Sequence, residues 1–404
     1  MKKILAVCLA ALLCLQLFGC GTAAPEAEVI VGAGTQNLMA KIVPAAVEPM
    51  VPDQVYEAAA ANFALALLKQ SYEEEGVMLS PYSLYLLMAM VANGAENETL
   101  QQMEQAMGLP GAELNRYLYS LQQDERQELL LANSIWFQNA LKVKENFLQT
   151  NGDYFGAEIY GTAFNEQTVG EINAWVAAHT KDRITELVKE LDPNDCMVLL
   201  NALCFDGQWA EAFEAENSFD GSFTAFDGTV QVARMMQGAA EKYIQTENAA
   251  GFVKEYENGY SFLALLPEAD LSMEDFLGKL DGAEFLRLWR SARVTDTAVT
   301  MPRLELQSSF SPIEALKRMG IGDLFSENAD LGRISDAPLF VSEVNHSCSI
   351  SIDESGTKAA AASSAEITYK GVPKSITLDR PFVMAILDNE TGTILFLGVV
   401  ASVE

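Results

Sequence analysis

The sequence predicts a single mixed α+β domain over residues 55–404, on three observations. The first half of that span sets apolar residues at helical spacing, and the second half alternates short apolar runs with turn residues. No internal repeat or linker divides the span. Half of the 404 residues are hydrophobic and a fifth are charged, which suits a chain with a substantial core.

What precedes the domain reads as targeting and spacing. Lys2 and Lys3 give a basic start, and 4–18 is an apolar run too short to cross a bilayer as a stable helix. Residues 1–19 are therefore expected to be a signal peptide. It ends in Leu17-Phe18-Gly19-Cys20, which resembles a bacterial lipobox, cut before a Cys20 that then carries lipid. Ordinary secretion with a cut near Ala23 is the alternative. Residues 20–54 are rich in Ala, Val, Pro and Gly, are punctuated by Pro44, Pro49 and Pro52, and read as a flexible tether.

Within the domain, a helix is expected over 55–70. Ser80-Pro81 opens a second, with Ser80 as cap and Pro81 in the first helical position. Residues 82–92 are apolar almost all round, so that helix should be buried until Asn93-Gly94 ends it. Another helix starts over 98–107, a strand covers 129–137, and helix returns over 169–188. The near-continuous apolar run 196–205 predicts a strand covered on both faces. An Asp-Gly turn separates strand-like runs in 222–236. Further strands are expected over 261–266, 299–307 and the alternating 344–352, with a helix over 312–319. The runs 382–387 and 393–400, separated by a turn at 388–392, predict a terminal hairpin.

Composition excludes several functions. A net charge of −30 argues against nucleic acid, whose phosphates need clustered Lys and Arg, and against charge-based attachment to anionic lipid. The only histidines are His179 and His346, so a His-rich zinc site is impossible and a Ser–His–Asp triad would have to use one of them. His179 falls at a helix end and His346 inside a strand, where a hydrogen-bonded core residue is the ordinary reading. No Gly-x-Ser-x-Gly elbow, Walker loop or His-Glu-x-x-His occurs. Beyond the leader, Cys196, Cys204 and Cys348 are too few and too spaced for a disulfide framework and read as small buried hydrophobes. Neither a cofactor nor a metal is implied, and no enzyme activity is expected.

One run stands apart from ordinary globular sequence. Glu354-Ser355-Gly356-Thr357-Lys358 leads into Ala359, Ala360, Ala361, Ala362, Ser363, Ser364 and Ala365. Such side chains serve equally in an exposed loop or between packed strands, where larger residues would overpack. The polar stretch Glu366-Ile367-Thr368-Tyr369-Lys370-Gly371-Val372-Pro373 follows, with Lys370 as a good trypsin-type cleavage residue.

These pieces, in this order, resemble the serpin family over essentially all of residues 55–404. Leu79-Ser80-Pro81-Tyr82-Ser83 resembles the start of that family's buried helix, and Asn201, with Trp209 and Phe213 after it, its central strand and turn. Asp353-Glu354-Ser355-Gly356-Thr357 before Ala359–Ala362 resembles the hinge of inhibitory members. Residues 376–386, with Asp379-Arg380-Pro381-Phe382 at their centre, fit the C-terminal signature.

The resemblance implies a serpin fold: helices around a large central mixed sheet, two further sheets and an exposed reactive loop. It implies a monomeric suicide-substrate inhibitor that traps a serine protease as an acyl-enzyme by inserting the cleaved loop into the central sheet. Ser80, Ser83, Asn201 and His346 would form the polar shutter beneath that sheet. Glu354, Gly356, Thr357 and Ala359–Ala362 would be the hinge. Family spacing from Gly356, and independently from Pro381, puts the scissile bond at Lys370–Gly371, flanked by Ile367, Thr368, Tyr369 and Val372. Lys370 implies trypsin-like targets, because an acidic primary pocket pairs with Lys or Arg. With period-two alternation Thr357, Ala359, Ala361, Ser363, Ala365 and Ile367 would face inward, and none is charged. The expected location is extracellular, with the membrane reached only through a lipid anchor or, alternatively, not at all. The rival reading is a non-inhibitory serpin acting as a surface binding or structural lipoprotein.

Overall fold

The computed structural model describes residues 34–123, 126–357 and 374–403. The leader 1–19, Cys20, the hinge alanines 359–362 and the bond Lys370–Gly371 with its neighbours lie outside these residues.

The chain enters through β1 (Gln36–Asn37). Asp53 then caps α1 (Gln54–Ser71), its carboxylate accepting the Val55 N–H. After β2 (Val77–Leu79), Ser80 caps α2 (Pro81–Ala92) by accepting the Ser83 N–H. Every residue of α2 is buried, as its unbroken apolar surface requires. Then come α3 (Asn97–Met107), α4 (Gly111–Leu121), β3 (Leu129–Gln138), α5 (Glu145–Phe155), β4 (Glu158–Thr162) and α6 (Glu166–His179). Strand β5 (Met197–Phe205) is buried at all nine positions, fitting an apolar run with no polar face.

The second half is strand-rich. Its elements are β6 (Phe219–Thr224), β7 (Val230–Gln245), β8 (Ala249–Glu255), β9 (Tyr260–Pro267), α7 (Met273–Gly278), α8 (Gly282–Arg290), β10 (Arg293–Pro302), β11 (Leu304–Phe310) and α9 (Ile313–Arg318). They are followed by β12 (Glu343–Ile352), β13 (Lys374–Thr377), β14 (Phe382–Asp388) and β15 (Ile394–Val400).

The strands make two sheets. One, of mixed direction, runs β1-β4-β3-β5-β12-β11. The other runs β13-β10-β7-β8-β9-β14-β15-β2, with β6 also on β7, so the long strand β7 joins the two smaller sheets that were expected separately. At the centre of the mixed sheet β5 and β12 are parallel and hydrogen-bonded to each other, with Asn201 opposite His346. Among the described residues no strand lies between them. The sheet is closed.

Four expectations need correction. Segment 34–50 is no tether: Gln36 and Asn37 pair with Gly161 and Tyr160, and Leu38, Met39, Ile42 and Met50 pack against the core. Gly152 of α5 makes the space, since a Cβ there would lie 2.7 Å from Ile42 Cγ2. Polar ties accompany the packing: Ala45 N–H donates to Asp153 Oδ1 and Met50 N–H to Ser120 Oγ, both at 2.7 Å. The helix expected over 169–188 stops at His179, because Lys181 and Asp182 adopt left-handed φ of 49° and 61°, which costs an L-residue helix its continuation. The strand expected over 299–307 is two strands in different sheets, parting at Arg303. Cys204 and Cys348 are buried as expected, but Cys196 is half-exposed just before β5.

Candidate functional site: the centre and mouth of the mixed sheet

Four residues separated by up to 266 positions meet beneath the β5–β12 pair. The His346 ring accepts the Ser80 backbone N–H at Nε2, 3.1 Å, and its Nδ1–H donates to Asn201 Oδ1. Ser83 Oγ donates to the same Asn201 oxygen at 2.9 Å. All four side chains are fully buried. The residues proposed for the shutter are thus brought together.

A fifth member went unnoticed in the sequence. Asn133 of β3 accepts from Asn201 Nδ2 and donates to the Ser83 carbonyl at 3.2 Å. Its only sequence signal is an amide within an apolar strand run. Because Nε2 accepts a hydrogen bond from the Ser80 N–H, it carries no proton of its own and the His346 ring is neutral, and burial pushes its pKa down to about 3. The phenyl ring of Phe310 stands edge-on to it, 5.4 Å between centres.

The second part of the site lies at the end of the same two strands, where β5 finishes at Phe205 and β12 at Ile352. Here the segment 353–357 is gripped by 207–213. Trp209 N–H donates to the Ser355 carbonyl and Phe213 N–H to that of Glu354, at 3.0 and 2.8 Å. Trp209 Nε1–H donates to the Asp353 carbonyl at 3.0 Å, and its ring stacks on Tyr256 with centres 4.2 Å apart. Thr357 N–H closes on the Gly207 carbonyl at 2.6 Å, and Thr357 Oγ1 lies 3.1 Å from the Tyr256 hydroxyl.

Gly356 is required here. Its φ is +133°, and a Cβ would stand 2.4 Å from the Gly207 carbonyl oxygen. Glu354 is pinned by Arg303 at 2.7 Å and by the Ser218 hydroxyl at 2.5 Å. Burial raises the Glu354 carboxyl, but these hydrogen bonds outweigh it and hold the group below the usual carboxylate range. Arg303, Ser218 and Tyr256 were not foreseen, since nothing in their local sequence marks them.

Lys254 lies under this grip. It is buried, donates to the Ala239 carbonyl at 2.8 Å, and stands 4.7 Å from the Phe213 ring centre and 5.5 Å from that of Trp209. Burial pushes its pKa down, against the opposing pull of Glu241 and Glu211.

Elsewhere the chemistry is sparse. His179 closes α6, its Nε2 2.8 Å from Glu158 Oε1, which ties that helix to β4. No group of three or more His, Cys, Asp or Glu able to hold a metal occurs among the described residues, and no helix among them is long and apolar enough to cross a membrane.

Residues 58–403 match the family model described as Serpin (serine protease inhibitor). A leukocyte elastase inhibitor from Bos taurus is 31% identical over 355 residues, covering 81% of this chain and 93% of that protein. A serine protease inhibitor from Cyanea capillata is 29% identical, covering 81% and 93%. Among solved structures, the thermophilic serpin tengpin in its native state matches with a TM-score of 0.87 at 37% identity, over 92% of this chain and all of that one. The latent state of tengpin matches with a TM-score of 0.79 at 36% identity, over 88% of this chain and all of that one.

Proposed function

The chain belongs to the serpin family, and from that premise we propose that it is a suicide-substrate inhibitor of a trypsin-like serine protease. The protease serine attacks the Lys370 carbonyl, the Gly371 amine leaves, and the acyl-enzyme ester remains on Lys370. The freed segment then enters the mixed sheet between β5 and β12, gaining ladder hydrogen bonds on both sides. It carries the bound protease with it.

The observation that carries this reading is the position of Thr357. Thr357, expected to be the first of the inward-facing small residues, lies beyond the ends of the parallel pair β5 and β12 and is hydrogen-bonded to Gly207. From Thr357 to Lys370 an extended segment spans about 45 Å at roughly 3.3 Å per residue, enough to traverse the sheet. The neutral cluster of Ser80, Ser83, Asn133, Asn201 and His346 supports parting of the strands, because a hydrogen-bonded group can exchange partners without leaving a buried polar atom unpaired.

We further propose that the molecule acts as a monomer outside the cell, held by lipid on Cys20. Incubation with trypsin tests the inhibitory reading. A covalent complex that survives denaturing electrophoresis is expected, with mass spectrometry placing the new terminus at Gly371. Rapid cleavage with no complex would make the chain a substrate only.

A further inference from the structure

Beside the start of β13 two cations meet around one tyrosine. Acids outnumber bases 56 to 26 in this chain, and most of its arginines meet a carboxylate, as in Arg183–Asp206 and Arg287–Glu284. Arg293 and Lys374 do not: both are exposed, and neither has an ion-pair partner among the described residues. Tyr243 brings them together. Arg293 stands directly opposite it in the β10–β7 ladder, and Lys374 Nζ lies 5.3 Å from its ring centre. Next to Arg293, Val294 is 84% exposed, an apolar side chain given almost entirely to solvent. The Asp296 side chain lies outside the described set.

We propose that Arg293, Val294, Tyr243 and Lys374 form a secondary docking platform for the trapped protease, selecting one whose active-site rim is acidic. The inference rests on the inhibitory reading above and deepens it by naming the surface chemistry of the partner.

Position argues for this occupant. Lys374 is four residues beyond Lys370, so at most about 13 Å of extended chain separates the scissile bond from the platform. Tyr243 lies two strands from β13, about 10 Å across the sheet. A protein–protein contact of ordinary size buries about 800 Å² per partner, a patch roughly 30 Å across. A protease seated on Lys370 therefore covers these residues.

Charge argues for the rim. At physiological salt the Debye length is about 8 Å, so a docked protein senses the charges it touches, these two cations among them, more than the acids on the far side of the body. Two cations are too few for a polyanion, where each phosphate contact adds only a fraction of the binding. An exposed Val next to Arg293 fits a mixed protein rim better than a lipid headgroup.

The test compares anionic and cationic trypsin, which share primary specificity and differ in surface charge. The association rate of covalent complex formation is measured for the wild type and for the double variant Arg293→Glu/Lys374→Glu, at low and high salt. With anionic trypsin the double variant should be slower by about tenfold at low salt, and the deficit should shrink as salt rises. With cationic trypsin its rate should hold or increase. Val294→Ser should slow the anionic enzyme about two- to threefold. Thermal melts establish that the variants fold, and Arg293→Ala/Lys374→Ala, which adds no new charge, should show an intermediate deficit. Equal rates for wild type and variants with both trypsins overturn the platform, as does an equal loss with both. Sedimentation of the wild type, but not the double variant, with phosphatidylglycerol vesicles would assign the patch to lipid and also overturn it. Absence of any wild-type complex with either enzyme would instead remove the inhibitory reading itself.

Discussion

His346 can make both of its ring hydrogen bonds only when neutral, because Nε2 must accept from Ser80. That fixes a pH signature. The folded pKa of about 3 lies below the ordinary value of 6.5, so the unfolded chain takes up the proton first as pH falls. The contribution is complete above about pH 6.5 and is lost from there towards pH 3, at about 1.4 kcal/mol per pH unit. Urea melts across that window should show the slope for the wild type and lose it in His346→Gln. A wild-type profile with no such slope would contradict the neutral buried ring. Arg303→Ala should leave the buried Glu354 without its cation and destabilise the protein by about 1–2 kcal/mol, discounted because Arg303 is half-exposed. Ser80, Ser83, Asn201 and His346 were legible because the family resemblance aligns them with the polar shutter. Arg303 and Tyr256 break none, and their roles come only from the three-dimensional meeting of distant strands.

The hinge is the element on which the proposed movement turns. Thr357→Arg would place a charge where the first inserting residue meets Tyr256 and Gly207, at a position with no exposed surface. Burying an unpaired charge costs several kcal/mol, so the variant should be cleaved by trypsin without forming a covalent complex. Complex yield on denaturing gels decides the matter, and an unchanged yield would refute the hinge assignment. The segment 34–50 makes a second prediction. Removing residues 1–50 exposes the face that Met39 and Ile42 cover and unpairs the β4 edge, so the melting temperature should fall by several degrees. Gly152→Leu should do much the same by expelling Ile42. This segment was misread because its Pro- and Ala-rich composition matches a spacer. Its few large residues, Leu38, Met39 and Ile42, were the signal. Long, one-sided or fully apolar elements such as α2 and β5 were readable from pattern alone. By contrast α4, α5 and α8 were missed, and the parting of β10 from β11 at Arg303 depends on which sheet each joins.

At the scale of the whole molecule, the chain presents a closed mixed sheet with Thr357 held just beyond the ends of β5 and β12, and the proposed trap makes the residues after Thr357 one more strand of that sheet. A new central strand would add ladder hydrogen bonds and bury a row of small side chains, so the nicked molecule should lie well below the intact one in free energy. Recognition and movement are then separable. Lys370→Ala should abolish complex formation with trypsin while leaving the intact melting temperature unchanged, and persistence of the complex would move the cleavage point elsewhere. The spring itself is tested by melting intact protein and protein cut only after Lys370 side by side. The cut form should unfold at a temperature higher by tens of degrees. Equal or lower stability after the cut would mean that no strand is gained and that the proposed trap does not exist.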